Sequence, residues 1–349
     1  MNSWVEFIDL QFLRPAGTSR GVLHSKPSWI VHLSDGGISG KGEISIIPGL
    51  SHEFSDQLSF EKKIDEVISA LNSGAWDPAE GINPTLLESL QYFPSILFGL
   101  ETAWLDFKNG GKGIYFNNAF SLGEQKIPIN GLVWMGTPEF MQEQIDQKLN
   151  AGFTTIKMKI GAIELEQELA ILKSIREKYT SDQLTLRVDA NGAFTKMKAI
   201  QVLHQLAELA IHSIEQPIAA GKLEDMKELC KSAPVPIALD EELIGIYPKE
   251  DKIELLETIQ PQYIILKPSL HGGIFGTQEW IELAEAQNIP WWMTSALESN
   301  IGLNAICQLT AQYDNSLPQG LGTGSLYTNN FESDLVVKDG FIMMQPSLI

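Results

Sequence analysis

Three carboxylates lie at the ends of successive short apolar runs. Asp189, Glu215 and Asp240 each follow such a run at intervals of roughly 25 residues, which is the length of one strand, one helix and two loops. Lys267 follows a fourth run at a similar interval. Since the strand ends of successive βα units open into one mouth of a barrel, we expect these side chains to meet there. Three carboxylate ligands suit Mg²⁺, and lysines beside a divalent cation suit removal of a proton next to a carboxylate.

Two further lysines precede this series. Lys157 and Lys159 are two residues apart in Thr154–Ile160, so both point to the same face of a strand. An unpaired lysine is costly inside a barrel, which favours a functional role over the alternative of a solvated edge strand. Lys267 is expected roughly opposite Lys159, because the second and sixth strands are four apart in a ring of eight. For the acids, helix caps and Asx turns are the structural alternatives.

The segments that position these residues alternate strictly between strand and helix from Ile127 onwards. The predicted strands are Ile127–Val133, Thr154–Lys159, Leu184–Val188, Ala210–Ile214, Pro236–Leu239, Tyr263–Leu266, Trp291–Thr294 and a last one near Gly320–Leu321. The predicted helices are Pro138–Asn150, Glu164–Tyr179, Thr195–Leu209, Leu223–Ser232, Lys249–Ile259, Thr277–Gln287 and Gly302–Tyr313. This pattern predicts an α/β fold with a (β/α)₇β TIM-type barrel over residues 126–324. An open doubly wound sheet is the alternative, but its ligands bind at a switch point rather than at five successive strand ends.

Residues 1–125 lack this alternation and predict an N-terminal α+β capping domain. The predicted strands are Val5–Phe12, Trp29–Leu33 and Lys41–Ile47, with a hairpin at Gly36-Gly37, and the predicted helices are Phe60–Leu71, Thr85–Gln91 and Pro94–Phe107. The C-terminal tail, residues 325–349, is expected to return to this domain as a hairpin across Lys338-Asp339-Gly340.

The composition restricts the class of partner. The chain has 349 residues and a net charge of −19, from 44 acidic and 25 basic residues. This charge argues against nucleic acid and anionic membranes as partners. No basic N-terminal region precedes an apolar core, no apolar run approaches the roughly 18 residues of a membrane span, and Cys230 and Cys307 form no paired motif. We therefore expect a cytoplasmic protein that acts on a small-molecule carboxylate.

These motifs together resemble the enolase superfamily, specifically its muconate-lactonizing-enzyme subgroup. The matching elements are Lys157-Met158-Lys159, Asp189-Ala190-Asn191, Glu215-Gln216-Pro217, Asp240-Glu241 and Lys267. The resemblance covers the whole chain, including the cap, the barrel and the returning tail. It implies that Asp189, Glu215 and Asp240 bind Mg²⁺, with Mn²⁺ as a substitute. It also implies that Lys159 is the base and that Lys267 faces it, with Lys157, Asn191 and Glu241 in support.

Other motifs bear on the reaction. Gly42-Glu43-Ile44, Pro48–Ser51, the segment Ser295–Asn300 and the ending Gly320–Tyr327 look like those of subgroup members that make 2-succinylbenzoate for menaquinone. Those enzymes dehydrate 2-succinyl-6-hydroxy-2,4-cyclohexadiene-1-carboxylate. The resemblance therefore implies a lyase. Ser295, Glu298, Ser299 and Asn300 are expected to bind or support a substrate carboxylate or carbonyl, and an ordinary helix N-cap is the competing interpretation. The loop Gly17–Ser25 is expected to close over the mouth.

Two other functions stay open. Dipeptide epimerization or N-acylamino acid racemization would use both lysines as opposed acid and base. Epimerases of the subgroup usually carry an Asp-x-Asp at the eighth strand, whereas this chain has no acid between Asp314 and Glu332. A substrate ammonium would have no partner there. A barrel that binds a ligand without catalysis is the alternative from a different class.

Overall fold

An antiparallel sheet and three helices form the N-terminal part of the protein. The computed structural model describes residues 1–18, 21–161 and 164–345. The sheet has the order β1-β2-β3, and the Gly36-Gly37 turn joins its second and third strands as predicted. The strands are β1 (Asn2–Thr18), β2 (Gly21–Asp35), β3 (Ile38–Ser45), β4 (Trp76–Asp77) and β5 (Gly81–Ile82), and the helices are α1 (Gln57–Ala70), α2 (Pro84–Ser89) and α3 (Pro94–Lys108).

Helix α3 lies directly on strand β3, because glycines leave room for its backbone. A Cβ atom added to Gly42 would lie 1.9 Å from the carbonyl oxygen of Gly99. The core of this part is formed by apolar side chains of the sheet and helices, including Trp29, Ile64 and Leu100. The amphipathic spacing that predicted α1 buries Phe60, Ile64 and Val67, while the opposite face is solvated.

A curled parallel sheet with surrounding helices forms the rest of the chain, which confirms the predicted fold class. Its strands are β7 (Gly131–Val133), β8 (Thr155–Lys159), β9 (Thr185–Asp189), β10 (Ser213–Glu215), β11 (Ile237–Leu239), β12 (Tyr263–Leu266) and β13 (Trp291–Met293), each paired in parallel with the next. Its helices are α4 (Pro138–Asn150), α5 (Leu165–Lys178), α6 (Lys196–Glu208), α7 (Leu223–Ser232), α8 (Lys249–Ile259), α9 (Gly273–Ala286) and α10 (Asn300–Thr310). The main core lies between this sheet and the helices.

Gln319 and Gly320 close the sheet. Parallel bridges join Gln319 to Ile129 on one side and Gly320 to Thr294 on the other. The Gln319 amide donates to the Pro128 carbonyl at 2.8 Å, and the Gly320 amide donates to the Met293 carbonyl at 2.7 Å. This short connection is the eighth strand that was predicted near Gly320–Leu321.

Most predicted elements differ from the structure in their bounds, and two of these differences have an identifiable physical cause. The predicted strand Ile127–Val133 is divided into β6 (Lys126–Pro128) and β7, which belong to different sheets. Pro128 has no amide hydrogen with which to continue a ladder, so a break there is expected. Helix α9 begins at Gly273, four residues before the predicted Thr277. There the Glu101 carboxylate of α3 accepts a hydrogen bond from the Ile274 amide at 2.5 Å and caps the glycine-rich start.

The C-terminal tail forms the predicted hairpin but has a different partner. Strands β14 (Leu335–Lys338) and β15 (Phe341–Met344) pair with each other, and β15 pairs with β6 rather than with the N-terminal sheet. The preceding segment does contact that sheet, since the Thr328 amide donates to the Gln11 carbonyl at 2.9 Å. The tail therefore contacts both parts of the chain. In the described ranges, no helix is both long and apolar enough to cross a membrane.

Candidate active site

The charged residues singled out in the sequence meet at the carboxyl ends of neighbouring strands. Strand register places Lys159 beside Asp189 and Asp189 beside Glu215. Asp240 follows β11 directly, and Lys267 follows β12. All of these residues, and Lys157 with them, are at least nine-tenths buried. Parallel strands covered on both faces explain this arrangement, because alternate residues of β8 pack against helices while Lys157 and Lys159 point into the barrel.

Each lysine contacts a carboxylate. The Lys157 ammonium lies 2.6 Å from Glu215 Oε2 and 3.1 Å from Asp189 Oδ2. The Lys159 ammonium donates to the same Asp189 oxygen at 2.9 Å and to Asn191 Oδ1 at 2.6 Å. Lys267 forms an ion pair with Asp240. Buried charges of opposite sign thus compensate one another, as burial requires.

These contacts shift the pKa values in opposite directions. Burial alone would lower the pKa of Lys157, but the charges of Asp189 and Glu215 outweigh it and raise that pKa. Burial would also raise the pKa of Asp189, yet Lys157 and Lys159 bring it below its ordinary value. Glu215 behaves differently, because burial and the neighbouring Asp189 raise its pKa despite Lys157. We call Asp189, Glu215 and Asp240 the carboxylate layer. This layer therefore has too little positive charge beside Glu215.

Two carboxylate oxygens of this layer face no partner. Glu215 Oε1 and Asp240 Oδ1 are buried, and neither has a hydrogen bond within the described part of the chain. Unpaired buried oxygens are costly and are the hard donors that Mg²⁺ prefers, so the donor chemistry fits this ion. Across residues 1–18, 21–161 and 164–345, however, no three His, Cys, Asp or Glu side chains are already grouped as a metal site. Instead, the ammonium groups of Lys157, Lys159 and Lys267 form ion pairs with the carboxylates of Glu215, Asp189 and Asp240.

A cavity opens above this layer, between the barrel and the N-terminal sheet. Its floor includes Lys157, Lys159, Lys267, Asp189 and Glu215, and its polar wall includes Asn191 and Glu241. Its apolar wall is made by side chains of both parts of the chain: Leu23, Ile47, Pro48, Leu50, Leu132, Trp134, Ala296 and Leu297. A charged floor under an apolar roof suits a small anionic molecule with a hydrocarbon body.

The predicted loop Gly17–Ser25 is instead the end of the β1–β2 hairpin. Strand residues extend to Thr18 and resume at Gly21, while residues 19–20 lie outside the described ranges. Leu23 of this hairpin lines the cavity. Regular strand pairing explains the difference, since Gly17 pairs with Val22 and Ala16 with Leu23.

The segment after β13 lines the cavity only in part. Ser295 lines the cavity, but among the described lining residues Glu298, Ser299 and Asn300 are not found. Ser299 caps α10 by accepting a hydrogen bond from the Ile301 amide, and Asn300 donates to the Phe331 carbonyl at 2.6 Å. The N-cap interpretation is thus correct for Ser299, because the helix starts at the next residue.

A comparison with protein families places this geometry in context. The model of the family described as Enolase C-terminal domain-like matches residues 140–347. The chain belongs to that family. The predicted membership of the enolase superfamily is thereby confirmed.

Enolase-superfamily enzymes similar to this chain include relatives of several activities. An o-succinylbenzoate synthase of Desulfotalea psychrophila (strain LSv54 / DSM 12343) is 47% identical over 355 aligned positions, which cover 96% of each chain. The crystal structure of MenC from D. psychrophila LSv54 has a TM-score of 0.86 at 41% identity and covers 98% of this chain and 99% of its own. The L-Ala-D/L-Glu epimerase of Bacillus subtilis (strain 168) is 28% identical over 52% of this chain and 50% of its own.

A less similar structure shows only that its fold is the same as that of this chain. The muconate lactonizing enzyme of Pseudomonas fluorescens, in complex with muconolactone, has a TM-score of 0.79 at 22% identity. It covers 98% of this chain and 93% of its own. Enzymes of this superfamily generally combine a lysine or histidine base with Mg²⁺.

Gln216 lies next to the site, and the sequence motif that contains it gave no indication of its contacts. Its side chain is fully buried, and its carbonyl oxygen accepts hydrogen bonds from the Asp240 and Glu242 amides at 3.2 Å each. Its amide group donates to Glu242 Oε2 at 2.9 Å. Gln216 thus fixes the loop that carries Asp240 relative to the strand that carries Glu215. The only signal in the sequence was its place between Glu215 and Pro217.

Proposed function

We propose that this protein is an o-succinylbenzoate synthase, which converts 2-succinyl-6-hydroxy-2,4-cyclohexadiene-1-carboxylate into 2-succinylbenzoate and water. The observation that carries the proposal is the 47% identity to such an enzyme over 96% of both chains. The lysine-lined cavity with an apolar roof supports it, since the substrate combines carboxylates with a hydrocarbon ring.

We propose that Lys159, in its neutral amine form, removes the proton from the carbon next to the ring carboxylate. The electron pair of that C–H bond passes into the carboxylate, which becomes an enediolate. Lys267, on the opposite side of the barrel, stabilises the new negative charge as a cation. The electrons then return to the ring, the C–O bond of the hydroxyl group breaks, and Lys159 returns its proton so that water leaves. The ring becomes aromatic, which drives the reaction forward.

Asp189, Glu215 and Asp240 would hold Mg²⁺, or Mn²⁺ in its place. When bound, the ion supplies positive charge beside the substrate carboxylate and so lowers the free energy of its doubly negative form. The unpartnered Glu215 Oε1 and Asp240 Oδ1 support this ligand set. Asn191 connects two neighbours of the set: its amide group donates to Glu241 Oε1 at 3.0 Å, and its carbonyl oxygen accepts from Lys159. It would thus orient the base.

Epimerization is the second candidate, because Lys159 and Lys267 lie on strands four apart in the barrel. Two opposed bases suit removal of a proton from one face and its return to the other. At the eighth strand, however, the described lining residues are Gly320, Gly322 and Thr323, none of which is charged. A dipeptide ammonium at that end would lack a counterion, and burying an unpaired charge costs several kcal/mol.

The test is direct. Purified protein is incubated with the hydroxycyclohexadiene substrate, with Mg²⁺ and with excess EDTA, and formation of the aromatic product is followed by absorbance. We expect product with Mg²⁺ and a large loss of rate with EDTA. No product in either condition would refute the proposal, and equal rates in both would refute its metal requirement.

A further inference from the structure

Glu298 joins the two loops that follow β12 and β13. Its side chain is fully buried; Oε1 accepts a hydrogen bond from the Ser269 hydroxyl at 2.5 Å, and Oε2 accepts one from the Ser295 hydroxyl at 2.7 Å. Ser295 lines the active-site cavity, while Ser269 lies two residues beyond Lys267. One carboxylate thus connects the cavity wall to the turn that carries a catalytic lysine.

The turn after β12 is tight enough to transmit this constraint. The Leu270 and His271 amides donate to the Lys267 carbonyl at 2.8 and 3.0 Å, and the Lys267 amide donates to His271 Nδ1 at 2.9 Å. Ser269 lies inside this turn. Holding its hydroxyl therefore fixes the backbone from which the Lys267 side chain extends.

The N-terminal sheet supports the same segment through a second buried glutamate. Glu43 of β3 accepts hydrogen bonds from the Ser299 amide at 3.0 Å, the Ser299 hydroxyl at 2.5 Å and the Gly302 amide at 3.0 Å. Glu43 also accepts one from Ser28 of β2 at 2.9 Å. A carboxylate of the cap thus caps a helix of the barrel, immediately after Glu298.

A buried lysine lies beside both glutamates. Lys26 of β2 is fully buried and donates to Ser28 Oγ at 3.1 Å and to Ser45 Oγ. Burial lowers the pKa of Lys26, and the charges of Glu43 and Glu298 oppose that change. Burial likewise raises the pKa of Glu298, whereas the charge of Lys26 and the hydrogen bonds from Ser269 and Ser295 act to lower it. Since a buried carboxylate needs compensation, a cap-derived cation helps to hold a barrel carboxylate in place.

We propose that Glu298 is a positioning residue: through Ser269 and Ser295 it sets the place of Lys267 and of the cavity wall, while Lys26 of the cap compensates its charge and Glu43 of the cap binds the adjoining Ser299. The proposal rests on the proposed function for its kinetic consequence. The role of Glu298 explains why a fully buried acid occurs in a segment that only partly contacts the cavity. The cap therefore does more than cover the mouth, because it also fixes the catalytic side of the barrel.

Kinetics of Glu298→Ala, Glu298→Gln and Ser269→Ala test the proposal. Misplacement of a catalytic group by about 1 Å lowers turnover by about 100-fold, so we expect E298A to lose about 10- to 100-fold in kcat with KM changed less than about threefold. Glutamine keeps an oxygen for one serine and offers an N–H to the other. E298Q is therefore expected to regain most of the lost kcat, and S269A should lose less than E298A.

Glu101→Ala is the matched control. Glu101 is a carboxylate of the cap that accepts hydrogen bonds from the Ile274 and Phe275 amides at the start of α9. Unlike Ser295, neither of these two partners is among the described residues that line the active-site cavity. If Glu298 acts only through general stability, E101A and E298A will lower the melting temperature alike and leave kcat near that of the wild type. That result, or an equal loss of kcat in both variants, would overturn the proposal.

Amide hydrogen exchange provides a readout that needs no substrate. We expect faster exchange in residues 267–271 and 294–299 of E298A than in the wild type, with no such change in E101A. Unchanged exchange in those segments would contradict the positioning role even if the proposed reaction failed. If E298A does not fold, S269A and the Ser269→Ala/Ser295→Ala double variant carry the same kinetic and exchange tests. An inactive wild type would refute the proposed function alone.

Discussion

Replacement of Lys157 by methionine tests how the buried carboxylates are held before a metal binds. The Lys157 ammonium lies 2.6 Å from Glu215 and 3.1 Å from Asp189, and methionine keeps an apolar stem without the charge. Removing one member of a buried ion pair costs about 3–5 kcal/mol, because the other charge is left uncompensated. Two carboxylates share this lysine, so we expect metal-free K157M to lose about 3–5 kcal/mol of its free energy of unfolding.

Mg²⁺ should reverse part of that loss. A ligand at about 100 times its Kd stabilises the folded state by about 2.7 kcal/mol. The variant lacks the lysine charge that repels a cation near Asp189 and Glu215, so its gain should exceed that of the wild type. The expected signature is a large difference between variant and wild type in EDTA and a smaller one in Mg²⁺.

Urea unfolding followed by tryptophan fluorescence, in EDTA and in saturating Mg²⁺, measures both effects. Lys148→Met is the matched control, because Lys148 is partly buried over the ring of Phe153, 5.2 Å from its centroid, and lies outside the carboxylate layer. Its replacement should change the free energy of unfolding by less than about 1 kcal/mol. A K157M variant as stable as K148M in EDTA would refute the charge argument, and coincident curves with and without Mg²⁺ would refute the metal site.

Three further outcomes are expected. Lys159→Ala should lose at least about 100-fold in kcat for dehydration, because general base catalysis contributes roughly 10²–10⁴-fold. If the variant kept more than about a tenth of the wild-type kcat, Lys159 would not be the base. Burial raises the pKa of Glu101 to about 7, so the folded state holds a proton that the unfolded state releases near pH 4.5. The free energy of unfolding should thus fall by about 1–3 kcal/mol as pH rises from 4.5 to 8, and Glu101→Gln should flatten this dependence in urea titrations. Finally, kcat/KM should favour dehydration over epimerization of any dipeptide by at least about 100-fold, or 2.7 kcal/mol of barrier, and equal values would leave only the superfamily established.

The fold was predictable where local patterns decide it. Helices α4, α7 and α8 have the bounds that their apolar spacing predicted, and strand β12 does as well. Errors occur where a distant residue overrides the local pattern. Helix α9 starts early because Glu101, far away in the chain, caps it, and the segment around Pro128 is divided because the tail hairpin takes its first half.

The candidate site was predictable for a different reason. In a parallel barrel, the position of a residue at a strand end fixes where its side chain goes, so Asp189, Glu215 and Lys267 needed only correct strand ends to be brought together. Pairing between those side chains does not follow from spacing. That Lys157 contacts Glu215 while Lys159 contacts Asn191 depends on side-chain geometry across three strands.

The sequence motifs contained Glu43 and Ser299, but the contact between these two residues could not be predicted from the sequence pattern. Glu43 and Ser299 are separated by 256 positions in the chain, yet a hydrogen bond of 2.5 Å joins their side chains. A glutamate on a strand of the cap reads locally as a solvated residue, because strands usually expose alternate side chains. It becomes buried only when the start of the barrel helix packs against it. The free amides of that helix then donate hydrogen bonds to the carboxylate, so that both groups have a partner. This pairing exists only in the assembled fold. The proposed role of Glu298 extends the determinants of turnover into the cap, although every group proposed to touch the reacting atoms belongs to the barrel.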